Sequence, residues 1–297
     1  RRSFMSIFFN GLSLSSIILL ASLGLAITFG LMRVINMAHG EFMMIGAYVT
    51  YMVQGFLQQY VSSDLGYFVS IIAAFLVTFL LGSLLEKLVV SRLYGREIDS
   101  LLATWGVSLI LQQAARSIFG TQGVLVTTPK LLSGSIHIGS FSLSLTRLFI
   151  IALVALCLFL VWALMYRSNF GRQMRAVMQN RSMAQCMGIN SRKIDNVTFA
   201  FGSGLAGIAG CAIALLGSVD STVGQNYIVN TFMAVVLGGV GKLAGTVIGS
   251  SVIGFSSIGF ETITSSSIAK AIVLLIIIVF LQKKPQGLFT VRSRALD

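Results

Sequence analysis

Residues 167–195 read RSNFGRQMRAVMQNRSMAQCMGINSRKID and hold six of the chain's 21 basic residues. Apolar runs near 146–166 and 196–217 flank this tract. Each run reaches the roughly 20 residues that an α-helix needs to cross a hydrocarbon core. The tract between them cannot follow, because a single charge at the bilayer centre costs at least about 2.5–3.5 kcal/mol. It is therefore a loop between two crossings, and the excess of Lys and Arg on cytoplasmic loops places it inside.

The same logic extends in both directions. Further spans are expected near 11–32, 37–57, 66–86, 101–119, 231–260 and 268–282. Lys87, Arg92 and Arg96 mark 87–96 as internal, and Lys283, Lys284, Arg292 and Arg294 do the same for the tail. The Ser/Gly-rich stretch 120–145 suits the outer side. Of the 297 residues 56% are hydrophobic and only 10% charged, against roughly 25% charged in soluble domains. Mean hydropathy is +0.90. Repeated long spans exclude a β-barrel, whose segments alternate over about ten residues, and a lone cleavable leader cannot account for them. The expected fold is an all-α, polytopic transmembrane bundle forming one domain over 1–297. The net charge of +12 sits mostly between spans, so membrane lipid is its counterpart and nucleic acid is not expected.

Counting crossings exposes two irregular places. From 195 inside to 283 inside an even number is required, yet three apolar segments intervene. The segment 231–260 contains VLGGVGKLAGTVIG at 236–249, in which glycines and Lys242 interrupt the apolar run. A broken or re-entrant segment is expected there, tolerated only where protein buries it. Upstream, three segments precede the internal loop at 87. Either the chain starts outside with Arg1 and Arg2, or the backbone breaks within the membrane at 33–41. Interrupted segments in corresponding halves point to a transport site.

At that second place stand Asn36, His39 and Glu41. Successive helical residues turn by about 100°, so His39 and Glu41 point about 160° apart and do not converge for acid–base or metal chemistry. An intramembrane enzyme using the pair is accordingly disfavoured. Glu41 must pair, protonate or face the bundle interior, which suggests gating or structure. Other polar residues near spans are Thr104, Trp105, Gln112 and Gln113, Gln225 and Asn226, and Glu261 and Lys270. Gln112 and Gln113 offer donor and acceptor together, but adjacent side chains diverge, so at most one faces a narrow passage. Glu261 is grouped with Glu41 as gating or structural.

Two motifs mislead. GSGLAG at 202–207 matches a dinucleotide fingerprint, but no strand precedes it; Gly202, Ala206 and Gly210 form instead a small-residue stripe for close helix packing, as do Gly241, Gly245 and Gly249. GGVGKL at 238–243 lacks the Gly at Val236 and the Ser or Thr at Leu243 that a P-loop requires. Cys157, Cys186 and Cys211 show no metal-ligand spacing, and no cofactor is expected.

INMAHGEFMMIGAY at 35–48, GRQMRAVMQNRSMAQCMGIN at 171–190, VLGGVGKLAGTVIG at 236–249 and KPQGLF at 284–289 together resemble the permease subunits of branched-chain amino acid-type ABC importers. Within that family, HGEFMMIGAYVTYMVQ at 39–54 and LLATWGVSLILQQAARSIFG at 101–120 are most similar to the urea permeases. The resemblance implies a bacterial inner-membrane assembly: a second related permease, two cytoplasmic ATPases and a periplasmic solute-binding protein. It also makes 174–188 the coupling element, with Arg172, Arg175 and Arg181 offering positive charge and Ala184 and Gly188 permitting close docking. SMAQ at 182–185 departs from the usual Glu-Ala-Ala start of that loop. For urea, Asn36, His39, Thr104, Gln112 and Gln113 are the expected pathway residues. Branched-chain amino acids or short amides, and a passive urea channel, are the alternatives.

Overall fold

The computed structural model describes residues 2–94, 96–138, 141–239, 242–285 and 287–288. Gly241, Arg1, Arg292 and Arg294 lie outside them. Eleven α-helices are found among the described residues: α1 (Arg2–Met32), α2 (His39–Leu57), α3 (Ser63–Leu88), α4 (Glu97–Phe119), α5 (Leu145–Arg167), α6 (Asn169–Gln179), α7 (Arg181–Cys186), α8 (Ser191–Ala214), α9 (Gln225–Gly238), α10 (Leu243–Glu261) and α11 (Ser266–Lys283). A two-stranded antiparallel hairpin, β1 (Ser135–Ile138) and β2 (Phe141–Ser144), decorates the 120–145 loop. Six of the helices are long and apolar enough to cross a membrane. The chain is thus a polytopic helical bundle.

Apolar helices of similar composition occupy two layers. In their most apolar windows α1 and α8 are 83% buried, whereas α3, α5 and α11 are 22%, 28% and 17% buried. The first pair forms the bundle axis; the others turn Leu, Ile and Phe outward, as suits lipid or a partner chain. Side-chain size explains the assignment. A Cβ added to Gly202 of α8 would lie 2.8 Å from the carbonyl oxygen of Gly24 in α1. One added to Gly210 would lie 1.9 Å from that of Met43 in α2, and Gly46 and Gly207 stand as close. Gly204 and Ser203 face Phe75 and Gly82 of α3. Three helices therefore pack on α8 at backbone distance, in the manner of small-residue membrane interfaces. Ala206, between Gly202 and Gly210, is fully buried.

The irregular segment 231–260 is broken, as expected, into the 14-residue α9 and the 19-residue α10. Gly239 has φ +92°, a conformation that turns the chain between α9 and α10. Gly238 then meets Gly245 and Ala234 meets Gly249, so the pair runs antiparallel. Gly245 and Gly249 therefore pack within this hairpin. The Leu288 N–H, beyond α11, reaches the Leu237 carbonyl at 2.8 Å, so the end of α9 and the end of α11 lie on the same side of the bundle.

Upstream, both expected irregularities occur together. The Leu31 carbonyl, at the end of α1, accepts from Arg181 of the basic loop at 3.1 Å, so α1 ends on the basic side and begins on the other. Arg33 then takes φ +51° and ends the helix. Residues 33–36 are non-helical, and α2 starts deep in the bundle at His39. Its far end, through Gln54, exchanges hydrogen bonds with Thr127 of the outer loop at 2.5 and 2.9 Å.

Gly210→Val should force α2 off α8, because overpacking against rigid backbone costs roughly 1–3 kcal/mol or more. The thermal midpoint of the detergent-solubilised protein is expected to fall, whereas Gly55→Ala, with nothing within 4 Å of the added carbon, should leave it unchanged.

Candidate functional site

The break between α1 and α2 exposes backbone groups that lipid cannot satisfy. Helix α4 satisfies them. Ser100, Thr104, Ser108, Gln112 and Ala115 form its buried face, while Leu102, Trp105, Leu109 and Ile110 point outward. This helix is polar inside and apolar outside, the reverse of a soluble one. Ser100 Oγ accepts from the Ile35 N–H at 3.3 Å and Thr104 Oγ1 from the Met37 N–H at 3.0 Å. The Thr104 proton goes to the Ser100 carbonyl at 2.6 Å, with the Ile35 carbonyl 3.2 Å away. Asn36 Oδ1 accepts from the Ala38 N–H at 3.0 Å, an Asx turn that leads into α2.

His39 Nε2 lies 2.7 Å from the Ala21 carbonyl of α1. A carbonyl only accepts, so this nitrogen carries the proton. Glu41 turns the other way: its Oε1 accepts from Gln112 Nε2 at 2.7 Å and Ser108 Oγ at 3.0 Å, while Oε2 is buried without a partner. The two side chains diverge, as the helical arc requires. Asn36, His39, Glu41, Thr104 and Gln112 are all buried, so they stitch the break rather than face an open passage, contrary to the pathway reading. Gln113 does not join them; it is exposed, about 100° round α4 from Gln112. Glu261 sits elsewhere, at the outer end of α10.

A second constellation lies at the basic end. Ser168, Asn180 and Asn190 cap α6, α7 and α8 by accepting from Gly171, Met183 and Lys193 N–H groups at 3.0, 3.0 and 3.3 Å. Gly171 lets α6 fold tightly under α5; a Cβ there would lie 2.1 Å from the Leu164 carbonyl. Helix α6 buries Met174 and Val177 and exposes Arg172 and Arg175, the latter 5.1 Å above the Tyr166 ring.

Two expectations for this loop change. Arg181 does not offer its charge outward: it forms a bidentate pair with Asp195 of α8 at 2.6 and 3.0 Å, stacks 5.7 Å from the Tyr94 ring and reaches Leu31. Ala184 is 4% exposed, and its small side chain lines the groove beside Met183 and Met187. Gly188 has φ +89°, and the Gly188 and Ile189 N–H groups return to Gln185 and Ala184 carbonyls at 3.1 Å each. It is the left-handed residue of a Schellman cap on α7. The outward features are Met183 and Met187, 59% and 76% exposed, at a groove of about 530 Å³ shared with Arg172 and Ala176.

Sequence reasoning missed Asp195, Glu86, Tyr94 and Asn196, which form one network. Tyr94 Oη donates to Glu86 Oε1, and Asn196 Nδ2 to Glu86 Oε2 at 2.6 Å. The signal was present: Glu86 and Asp195 are acidic residues at the ends of otherwise apolar spans, which need partners.

Residues 7–281 match the family described as "Branched-chain amino acid transport system / permease component". The chain belongs to that family. It is 28% identical over 261 residues to the high-affinity branched-chain amino acid transport system permease protein LivH of Escherichia coli (strain K12), covering 83% of this chain and 82% of that one. It is 29% identical over 249 residues to the corresponding protein BraD of Pseudomonas aeruginosa, covering 81% and 80%. The probable branched-chain amino acid transport permease protein LivH of Methanocaldococcus jannaschii is 29% identical over 240 residues, 79% and 74% of the two chains. The chain is thus a multi-pass inner-membrane permease subunit, a transport component and not an enzyme. Permeases of this type work with other permease, ATPase and binding-protein subunits.

Thr104→Val keeps the shape of the side chain but removes the acceptor for the Met37 N–H. Leaving a buried donor unmade costs roughly 1–3 kcal/mol; a lowered thermal midpoint of the purified permease is expected. Glu41→Gln, which retains an acceptor for Ser108, should be far better tolerated than Glu41→Leu in the same measurement.

Proposed function

We propose that this permease imports branched-chain amino acids as one half of a membrane-embedded pair, with ATP hydrolysed on two cytoplasmic partners and solute delivered by an outer binding protein. The observation that carries the substrate class is the relationship to LivH and BraD along about four-fifths of the chain. The urea reading rests on the resemblance of residues 39–54 and 101–120 to urea permeases, with Gln112 and Gln113 as its chemical rationale. Gln112 instead holds Glu41, and Gln113 faces away. The chemical rationale for urea is thereby removed, and the relationship to LivH and BraD favours the branched-chain amino acid alternative.

Coupling falls to α6 and α7. Methionines are unbranched and adaptable, suited to a surface that must grip a moving partner. Met183 and Met187 project from the basic end beside Arg172, on a groove of about 530 Å³ that would receive a segment of an ATPase. The domain 1–297 would act as a unit, with Glu41 and the 33–38 break as the element whose packing changes between states.

Copurification should recover two ATPases and a second permease, and proteoliposomes holding that complex with its binding protein should accumulate labelled leucine only with ATP. Excess unlabelled leucine is expected to suppress the signal while urea and acetamide leave it intact; the reverse pattern would return the substrate to urea, and ATP-independent uptake would point to a channel. Met183→Asp with Met187→Asp should lower leucine uptake at least about tenfold, the scale on which central interface residues act, without loss of membrane insertion.

A further inference from the structure

At the end of the bundle opposite the basic loop, α8 ends, α9 begins, α10 ends and α11 begins around a pocket of about 330 Å³. This volume is at the low end of the roughly 300–1,000 Å³ of small-molecule sites, enough for a single amino acid and too small for a peptide. Glu261 of α10 and Lys270 of α11 both line it. Opposite charges sharing one pocket would be expected to pair, yet among the described residues the ion pairs within 4.0 Å are Arg96–Asp99 and Arg181–Asp195. Glu261 and Lys270 thus stand apart, facing a common space.

Between them the lining is divided by chemistry. Ile213 and Leu216 provide an apolar wall at the end of α8. Asn230 and Ser257 provide polar groups, and Ser257, 3% exposed, buries its hydroxyl without a hydrogen-bond partner. A buried hydroxyl left unpaired costs free energy that a ligand atom would recover.

We propose that this pocket is an outer binding site for an α-amino acid zwitterion with a branched apolar side chain. Glu261 receives the ammonium, Lys270 the carboxylate, Ser257 adds a hydrogen bond, and Ile213 with Leu216 takes the side chain. The arrangement demands both charges of the solute, so an amine or acid alone is held by half the site, and a neutral amide such as urea by neither charge. The inference rests on the branched-chain amino acid reading above and adds a place on this chain where the cargo is first held.

The test is binding of tritiated leucine to the assembled permease–ATPase complex without its binding protein. Saturable binding at millimolar leucine is expected, competed poorly by isoamylamine or 4-methylpentanoate. Glu261→Gln and Lys270→Met should each weaken it about tenfold or more, the loss of one charge-assisted contact. Glu261→Lys or Lys270→Glu alone should abolish it, and the double reversal should restore it by turning the ligand around. Binding that is absent from the wild-type complex, or equal in all variants, would leave the two residues as interfacial anchors and overturn the site. Leucine uptake by the complete transporter separates the causes: if uptake proceeds while binding is absent or indifferent to the variants, only the pocket assignment falls, whereas a transporter that does not take up leucine removes the substrate reading with it.

Discussion

Backbone that leaves the helical path inside a membrane must find its hydrogen bonds in protein, and in this permease that demand shapes the first half of the chain. The stretch between α1 and α2 would be untenable against lipid. It persists because α4 places Ser100 and Thr104 beside the Ile35 and Met37 amides. The cost appears in α4 itself, whose inner face holds hydroxyls and an amide where other helices hold aliphatic side chains. Glu41 then continues the same ladder by accepting from Ser108 and Gln112. A break, a polar helix and an embedded carboxylate are three parts of one solution.

The second half answers a different demand, that of closeness. Helices in lipid gain nothing from hiding apolar surface, so they associate through contact and need small residues at the crossing. Helix α8 concentrates them, and α1, α2 and α3 all approach it at distances that a single methyl would close. The α9–α10 hairpin uses the same device at Gly238 and Gly245. The outer helices turn further Leu, Ile and Phe side chains toward lipid or a partner chain.

Much of this was legible in the residues. Span positions follow from runs of about twenty apolar residues, and the two interruptions were visible because glycines and polar groups broke the pattern. Parity showed that 231–260 was irregular but not how; whether such a segment stops short or doubles back depends on which backbones meet, a three-dimensional fact fixed by Gly238 against Gly245. The basic loop was read as a surface of charge because spacing along a helix says nothing of what lies under it. Arg181 found Asp195 fourteen residues on, since α7 is a single short turn-and-a-half whose orientation is set by its neighbours. Likewise the amide pair at 112 and 113 was divided by helical arc alone, and only the position of Glu41 decided which of the two was used.

The guanidinium of Arg181 deserves a mechanical reading. It grips Asp195 near the start of α8, the Tyr94 ring in the α3–α4 connection and the Leu31 carbonyl at the end of α1, so one side chain rivets two long rods and a connecting segment to a short external one. A push on α7 from the aqueous side would therefore pass to the foot of α1, beside residues 33–36, whose backbone has no helical stiffness to resist it.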